Sequence, residues 1–163
     1  MPYGWHEIGQ SPASSGAVLQ FWGRERNHPA VATAVAAGAK VIMSPANRAY
    51  LDMEYDLLTP GGLDWAGAIE VSTAYDWDPA TLLPGIPQAS ILGVEAPLWS
   101  ETLRTSADIE FMAFPRLVAI AELGWSPRAT HDWESFRARL GAYGPRWVRD
   151  GVRFHRSPEI RWS

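Results

Sequence analysis

Three short apolar runs limit what this chain can fold into. AVLQFW (17–22), KVIMS (40–44) and SILGVE (90–95) are each five or six residues long. That is too short for a stable helix but right for strands buried in a sheet. Between the first two runs lie a loop, GRERNHP, and a stretch of small residues that predicts a helix from Pro29 to Ala37. Pro29 suits the first helical position and Gly38 the stop. Buried strands alternating with helices mean parallel βα units. In such folds ligands sit in the loops that follow the C-terminal ends of the strands.

The rest of the chain fits that frame. Pro45 halts the second run, and residues 45–87 are Gly- and Pro-rich, which predicts loop with short helical pieces. After the third run, Thr105-Ser106-Ala107-Asp108 resembles a capping box. It opens an apolar helix through Ile109, Met112, Leu117, Ile120 and Leu123, which Pro115 must kink or split. A last amphipathic helix carries Trp133, Phe136 and Leu140 at helical spacing, and GVRFHR (151–156) reads as a weak extended segment. At 163 residues the chain is read as one domain, 1–163.

Two of the strands lead into the same pattern: a proline, then an aromatic residue and an acid two positions apart. The pairs are Tyr50 with Asp52, and Trp99 with Glu101; Trp22 ends the first run. Spacing of i, i+2 in an extended segment points both side chains to one face. Each pair then presents a flat apolar plate beside a carboxylate. A sugar ring has that duality, with C–H faces that stack and hydroxyls that donate, each charge-assisted hydrogen bond contributing about 1.5–3 kcal/mol. The plainer alternative makes these residues rim aromatics and N-cap acids of the following helices. Nine tryptophans in the chain suit flat apolar surfaces, although core packing accounts for most such residues.

Other chemistries find little support. The net charge is -4 and the 14 basic residues are scattered, with a mild gathering at Arg146, Arg149, Arg153 and Arg156, so a nucleic-acid partner is not expected. No apolar stretch is long enough to span a bilayer, and Met1 to Trp5 lack the features of a signal peptide. There is no cysteine, and His6, His28, His131 and His155 are far apart in sequence, so no metal is expected. Gly-x-Ser-x-Gly and phosphate-cradling glycine turns are absent, and no cofactor is expected. Glu95 and Glu122 read as hydrogen-bonded structural acids.

The stretches GWHEI, VLQFWG, KVIMSP with AYLD, AYDWDP, ILGVEAPLWSE and FPRLVAIAELGWSP together resemble glycoside hydrolase family 20, the β-N-acetylhexosaminidases. The resemblance covers nearly the whole chain, in family order. It implies an α/β fold, a partial (β/α)₈ TIM barrel made of roughly the last three to four βα units. It implies substrate-assisted retaining hydrolysis of terminal β-linked N-acetylglucosamine or N-acetylgalactosamine, an exception to the two-carboxylate scheme. Trp5, Trp22 and Trp99 resemble the aromatic walls around the acetamido methyl. Tyr50 resembles the hydroxyl that orients the acetamido oxygen, and Asp52 and Glu101 the acids that hold ring hydroxyls.

One departure is as informative as the match. The family's adjacent Asp-Glu pair polarises the acetamido group and protonates the leaving oxygen, but this sequence contains no Asp-Glu dipeptide. Glu7 and Glu95 do not stand in matching positions. The resemblance therefore implies the C-terminal half of a barrel, without its acid and inactive alone. Open sheet edges in such a half predict association, as a homo-oligomer or with the missing N-terminal half. A non-catalytic carbohydrate-binding or assembly module and a remnant without function are the alternatives.

Overall fold

Four parallel strands form one sheet in the computed structural model, which describes residues 2–11, 15–26 and 28–163. Asn27 of the GRERNHP loop lies outside the described residues. The strands are β1 (Tyr3–Trp5), β2 (Val18–Phe21), β3 (Lys40–Met43) and β4 (Ile91–Val94). Their spatial order is β1-β2-β3-β4, each beside its sequence neighbour. That order is the one-way winding of a barrel; a doubly wound sheet reverses direction part-way. Strand β1 has no apolar run to announce it, being three residues long with a glycine at its centre.

These strands belong to a compact unit made of Met1–Ala46 and Trp77–Glu95. Register pairs Gly4 with Leu19 and Leu19 with Val41; between β3 and β4 it slips at Val41/Ile42. Leu19, Phe21, Val41 and Met43 are fully buried. Removing such side chains from water stabilises by about 1.5–3 kcal/mol each. Helix α1 (Pro29–Ala36) buries Val31, Ala34 and Val35, ending one residue before the predicted Ala37. A 3₁₀ turn, His6–Gln10, packs against it at Gly9, where a Cβ would lie 3.4 Å from both the Ala30 carbonyl and the Ala34 methyl.

The second unit comprises Asn47–Asp76 and Ala96–Ser163. Short helices α2 (Ala46–Ala49) and α3 (Val71–Tyr75) interrupt a long loop, as the Gly- and Pro-rich composition predicts. Helices α4 (Ser106–Ala113) and α5 (Arg116–Trp125) are separated at Pro115. The capping box forms at the start of α4: Thr105 Oγ1 accepts from the Asp108 N–H, and Asp108 accepts from the Thr105 N–H. Met112, Ile120 and Leu123 are buried, whereas Ile109 and Leu117 are exposed. The break at Pro115 resets the helical phase, so an apolar stripe read across it does not keep to one face.

Helix α6 (Trp133–Gly141) follows, capped by Asp132, and α7 (Gly144–Arg149) was hidden in the sequence by its Gly-Pro start. GVRFHR forms no strand. Its backbone donates instead to helix ends and side chains, Val152 to the Trp147 carbonyl, Arg153 to Glu110 and His155 to the Phe114 carbonyl. Trp147, Phe154 and Trp162 cluster there.

Candidate sugar-binding site

In the sheet-containing unit, Trp5 ends β1 and Trp22 directly follows β2, so both stand at strand C-termini. The His6-Glu7 dipeptide after β1 holds Trp22 twice. His6 Nδ1 accepts from the Trp22 backbone N–H at 3.3 Å, and Glu7 accepts from the indole N–H at 2.8 Å. Burial and the neighbouring His28 push the His6 pKa below the usual histidine value, against opposing pulls from Glu7 and Glu25. A neutral ring with a free Nδ1 lone pair is what the Trp22 hydrogen bond requires. His6 and His28, 22 positions apart in sequence, stand with ring centroids 4.3 Å apart. Among the described residues, no cluster of three or more His, Asp or Glu suited to a metal ion forms.

A polar row crosses the same unit. Gln20 of β2 is buried; it accepts from the Tyr3 hydroxyl at 2.5 Å and donates to Ser44 at 3.1 Å and Glu95 at 2.7 Å. Glu95 is hydrogen-bonded as expected, but it is exposed and lies just past the end of β4.

In the second unit, Tyr50 and Asp52 do not lie in an extended segment; Leu51 and Asp52 form a turn. The turn is tied on both sides. The Leu51 N–H donates to the Pro97 carbonyl at 2.8 Å, which joins the two aromatic-x-acid loops directly. The Leu63 N–H donates to the Asp52 carbonyl, and the Glu54 N–H to the Leu63 carbonyl, each at 2.8 Å. Gly62 makes this crossing possible. Its φ is +90°, and a Cβ there would stand 3.0 Å from the Glu54 nitrogen and from Met112.

Asp52 is 1% exposed, and among the described residues no hydrogen bond of good geometry reaches either carboxylate oxygen, although the backbone N–H groups of Asp52 and Trp99 lie close enough to act on it. Burial pushes its pKa above the usual carboxylate range. The backbone N–H groups of Asp52 and Trp99 and the charge of Arg116 pull it down, while Glu101 raises it further. Asp52, Trp99 and Glu101 are therefore near neighbours. A buried carboxylate with unused lone pairs is a strong acceptor for hydroxyl donors. Tyr50 is buried and meets the indole of Trp65 edge-on, centroids 5.8 Å apart. Trp99 and Trp65 are each 42% exposed, and Glu101 is exposed. The fold thus brings Tyr50, Asp52, Trp99 and Glu101 into one unit, and neither acid is a helix N-cap.

Sequence reading missed two residues here. Trp65 falls inside the Gly- and Pro-rich stretch 45–87, which reads only as loop. Arg116 had no signal at all: it looked like an ordinary helix residue, yet it is fully buried. Its guanidinium donates to four backbone carbonyls, Leu51 and Met53 on either side of Asp52, Ile69, and Met112, at 2.7–3.0 Å.

The family model described as glycosyl hydrolase family 20, catalytic domain, matches residues 1–128. A β-N-acetylhexosaminidase of Cellulomonas fimi is 46% identical over 159 residues, covering 98% of this chain and 32% of the relative. A β-hexosaminidase of Akkermansia muciniphila is 31% identical, over 85% of this chain and 28% of its own length. Among solved structures, a mutant Streptomyces plicatus β-hexosaminidase in complex with product, GlcNAc, is 48% identical with a TM-score of 0.95, over 99% of this chain and 33% of that one. The Vibrio harveyi family-20 exo-β-N-acetylglucosaminidase in complex with N-acetylglucosamine is 29% identical with a TM-score of 0.82, over 94% and 24%. The chain spans about a third of the length of the Cellulomonas fimi and Streptomyces plicatus proteins. With its strand order and these matches in agreement, the chain belongs to glycoside hydrolase family 20 and carries part of that family's α/β barrel.

Proposed function

We propose that this chain supplies the hydroxyl-gripping part of the sugar site of a β-N-acetylhexosaminidase. The observation that carries the reading is the Leu51-to-Pro97 hydrogen bond, which places buried Asp52 beside Trp99 and Glu101 in a family-20 chain. Asp52 and Glu101 accept hydroxyl donors from a terminal N-acetylglucosamine or N-acetylgalactosamine, and Trp99 stacks on its apolar parts. Tyr50 donates to the acetamido carbonyl oxygen and aims it at the anomeric carbon. In the complete reaction that oxygen forms a bond to the anomeric carbon as the glycosidic C–O bond breaks. The departing oxygen takes a proton from a general acid, and water later opens the cyclic intermediate with net retention.

The acid and the group that polarises the acetamido N–H are not among these residues, since the sequence has no Asp-Glu pair. General acid catalysis contributes about 10²–10⁴-fold, so the isolated chain is expected to bind sugar without turning it over. Trp5 and Trp22 are proposed as further aromatic walls, checked separately by Trp22→Ala.

The test is to offer the purified chain a chromogenic β-N-acetylglucosaminide and, in parallel, to titrate it with N-acetylglucosamine while following the Trp99 indole resonance. Expected are no hydrolysis and saturable binding with a Kd of about 1 mM or weaker, reduced about tenfold by Asp52→Ala. A folded chain that shows no saturable response removes the sugar reading. Hydrolysis that disappears in Glu101→Gln would show that the acid does lie within these residues.

A further inference from the structure

Arg116 opens helix α5, where the positive end of the helix dipole gives a cation no advantage. It is 0% exposed, and among the described residues no carboxylate hydrogen-bonds to it. Its hydrogen-bonding partners are backbone carbonyls. Nη2 donates to the Leu51 and Met112 carbonyls at 2.7 and 2.8 Å, and Nη1 to Met53 and Ile69 at 2.7 and 3.0 Å. The guanidinium lies 3.7 Å from the centroid of the Tyr55 ring, which stacks in turn on His155. Below that sandwich His155 meets Glu70, which also accepts from Ser157.

Two of the four carbonyls flank Asp52. A planar fork that takes the carbonyls of residues 51 and 53 together leaves the peptide units around residue 52 little freedom to rotate. No well-formed hydrogen bond holds the Asp52 carboxylate, so the backbone on either side bears most on its direction. Tyr50, one peptide away, is constrained by the same hold. An arginine suits the task because five N–H donors in one rigid plane can serve several acceptors, whereas an ammonium is a single point.

We propose that Arg116 is a positioning residue of the sugar site: through the Leu51 and Met53 carbonyls it fixes the turn that aims Asp52 and Tyr50. The proposal rests on the reading that Asp52 and Tyr50 contact the sugar, and it adds a residue that itself touches no sugar. A purely structural Arg116 would stabilise the whole unit evenly. A positioning Arg116 acts on the turn and on the sugar response more than on the helices.

Amide hydrogen exchange of the whole chain, wild type and Arg116→Lys, separates the two. In the wild type, the Leu51, Glu54 and Leu63 amides are expected to exchange as slowly as those of α5. In Arg116→Lys, which keeps the charge and loses the fork, the α5 amides should hold their protection while Leu51 and Leu63 exchange about tenfold faster or more. The N-acetylglucosamine response at Trp99 should weaken with them. Unchanged protection at Leu51 and Leu63 with an unchanged sugar response overturns the proposal, and so does a uniform loss across α3, α5 and α6. Wild-type exchange at Leu51 and Leu63 as fast as in the exposed turn where the Thr59 N–H donates to the Asp56 carbonyl also overturns it, and that arm holds even where the variant does not fold. A turn that loosens in Arg116→Lys while the wild type shows no sugar response supports the clamp and sinks the sugar reading instead.

Discussion

Asp52 opposes stability at the point where the proposed sugar site needs an acceptor. Burial raises its pKa, so the folded state holds a proton more tightly than the unfolded chain does. Stability then falls as pH rises from the ordinary carboxylate value through the raised one, because ionisation in the folded state is disfavoured. Asp52→Asn is expected to melt at a higher temperature than wild type at about pH 7, with the gap closing toward about pH 4, in paired thermal scans. The same variant should lose sugar affinity. A melting gap that does not change with pH would mean that Asp52 is not held above its ordinary range. Arg116 is the contrasting case. Arg116→Met strips donors from the Leu51, Met53 and Ile69 carbonyls, at about 1–3 kcal/mol for each stranded acceptor. That approaches the stability of a small domain, about 5–15 kcal/mol, so this variant should lose its cooperative melt.

At the scale of elements, helix ends and the C-terminal tail carry the testable detail. Thr105 caps α4, and Thr105→Ala should cost about 1 kcal/mol, read as a lower urea midpoint with an unchanged slope. The tail is fastened through Glu70, which caps α3 and accepts from Ser157 and His155. Burial raises the Glu70 pKa, but hydrogen bonds from His155, Val71 and Ser157 outweigh it and hold the carboxyl below its ordinary value. A lowered pKa contributes stability that is present above the unfolded value and is lost as pH falls through the folded one. Glu70→Gln should therefore be less stable than wild type at neutral pH and should show a flatter acid limb in pH-dependent denaturation. Parallel acid limbs would assign the acid sensitivity to other carboxylates.

For the whole molecule, the sheet and the tryptophans point in different directions. Among the described residues β1 and β4 each pair with one neighbouring strand, so each has an open edge. We propose that the isolated chain associates through such an edge, as a homo-oligomer or with a complementary piece of barrel. Sedimentation equilibrium should show mass rising with concentration, and a single monomeric species at high concentration would count against it. Six of the nine tryptophans divide between two uses. Trp77 and Trp147 are buried, and Trp133 and Trp162 join aromatic clusters, so these four are packing residues. Trp65 and Trp99 keep partly exposed faces beside Tyr50 and Asp52.

Local rules were enough for much of this protein. Short apolar runs gave β2, β3 and β4, the Pro29 and Gly38 signals bounded α1, Thr105 and Asp108 capped α4, and Pro115 divided α4 from α5. Each depends on side chains within a few positions, which a sequence displays directly. The aromatic-x-acid pairs were legible too, although the geometry behind the first is a turn and not an extended segment. Strand β1 and helix α7 were not, because three residues around a glycine and a Gly-Pro start carry no periodic signal. Nor was the hydrogen bond that joins Leu51 to Pro97, or the clamp from Arg116 to the carbonyls beside Asp52. Those contacts span 46 and more than 60 positions, and their acceptors are backbone carbonyls, which every residue possesses. A side chain's donors are written in the sequence; which carbonyls receive them is decided only when the chain has folded around them.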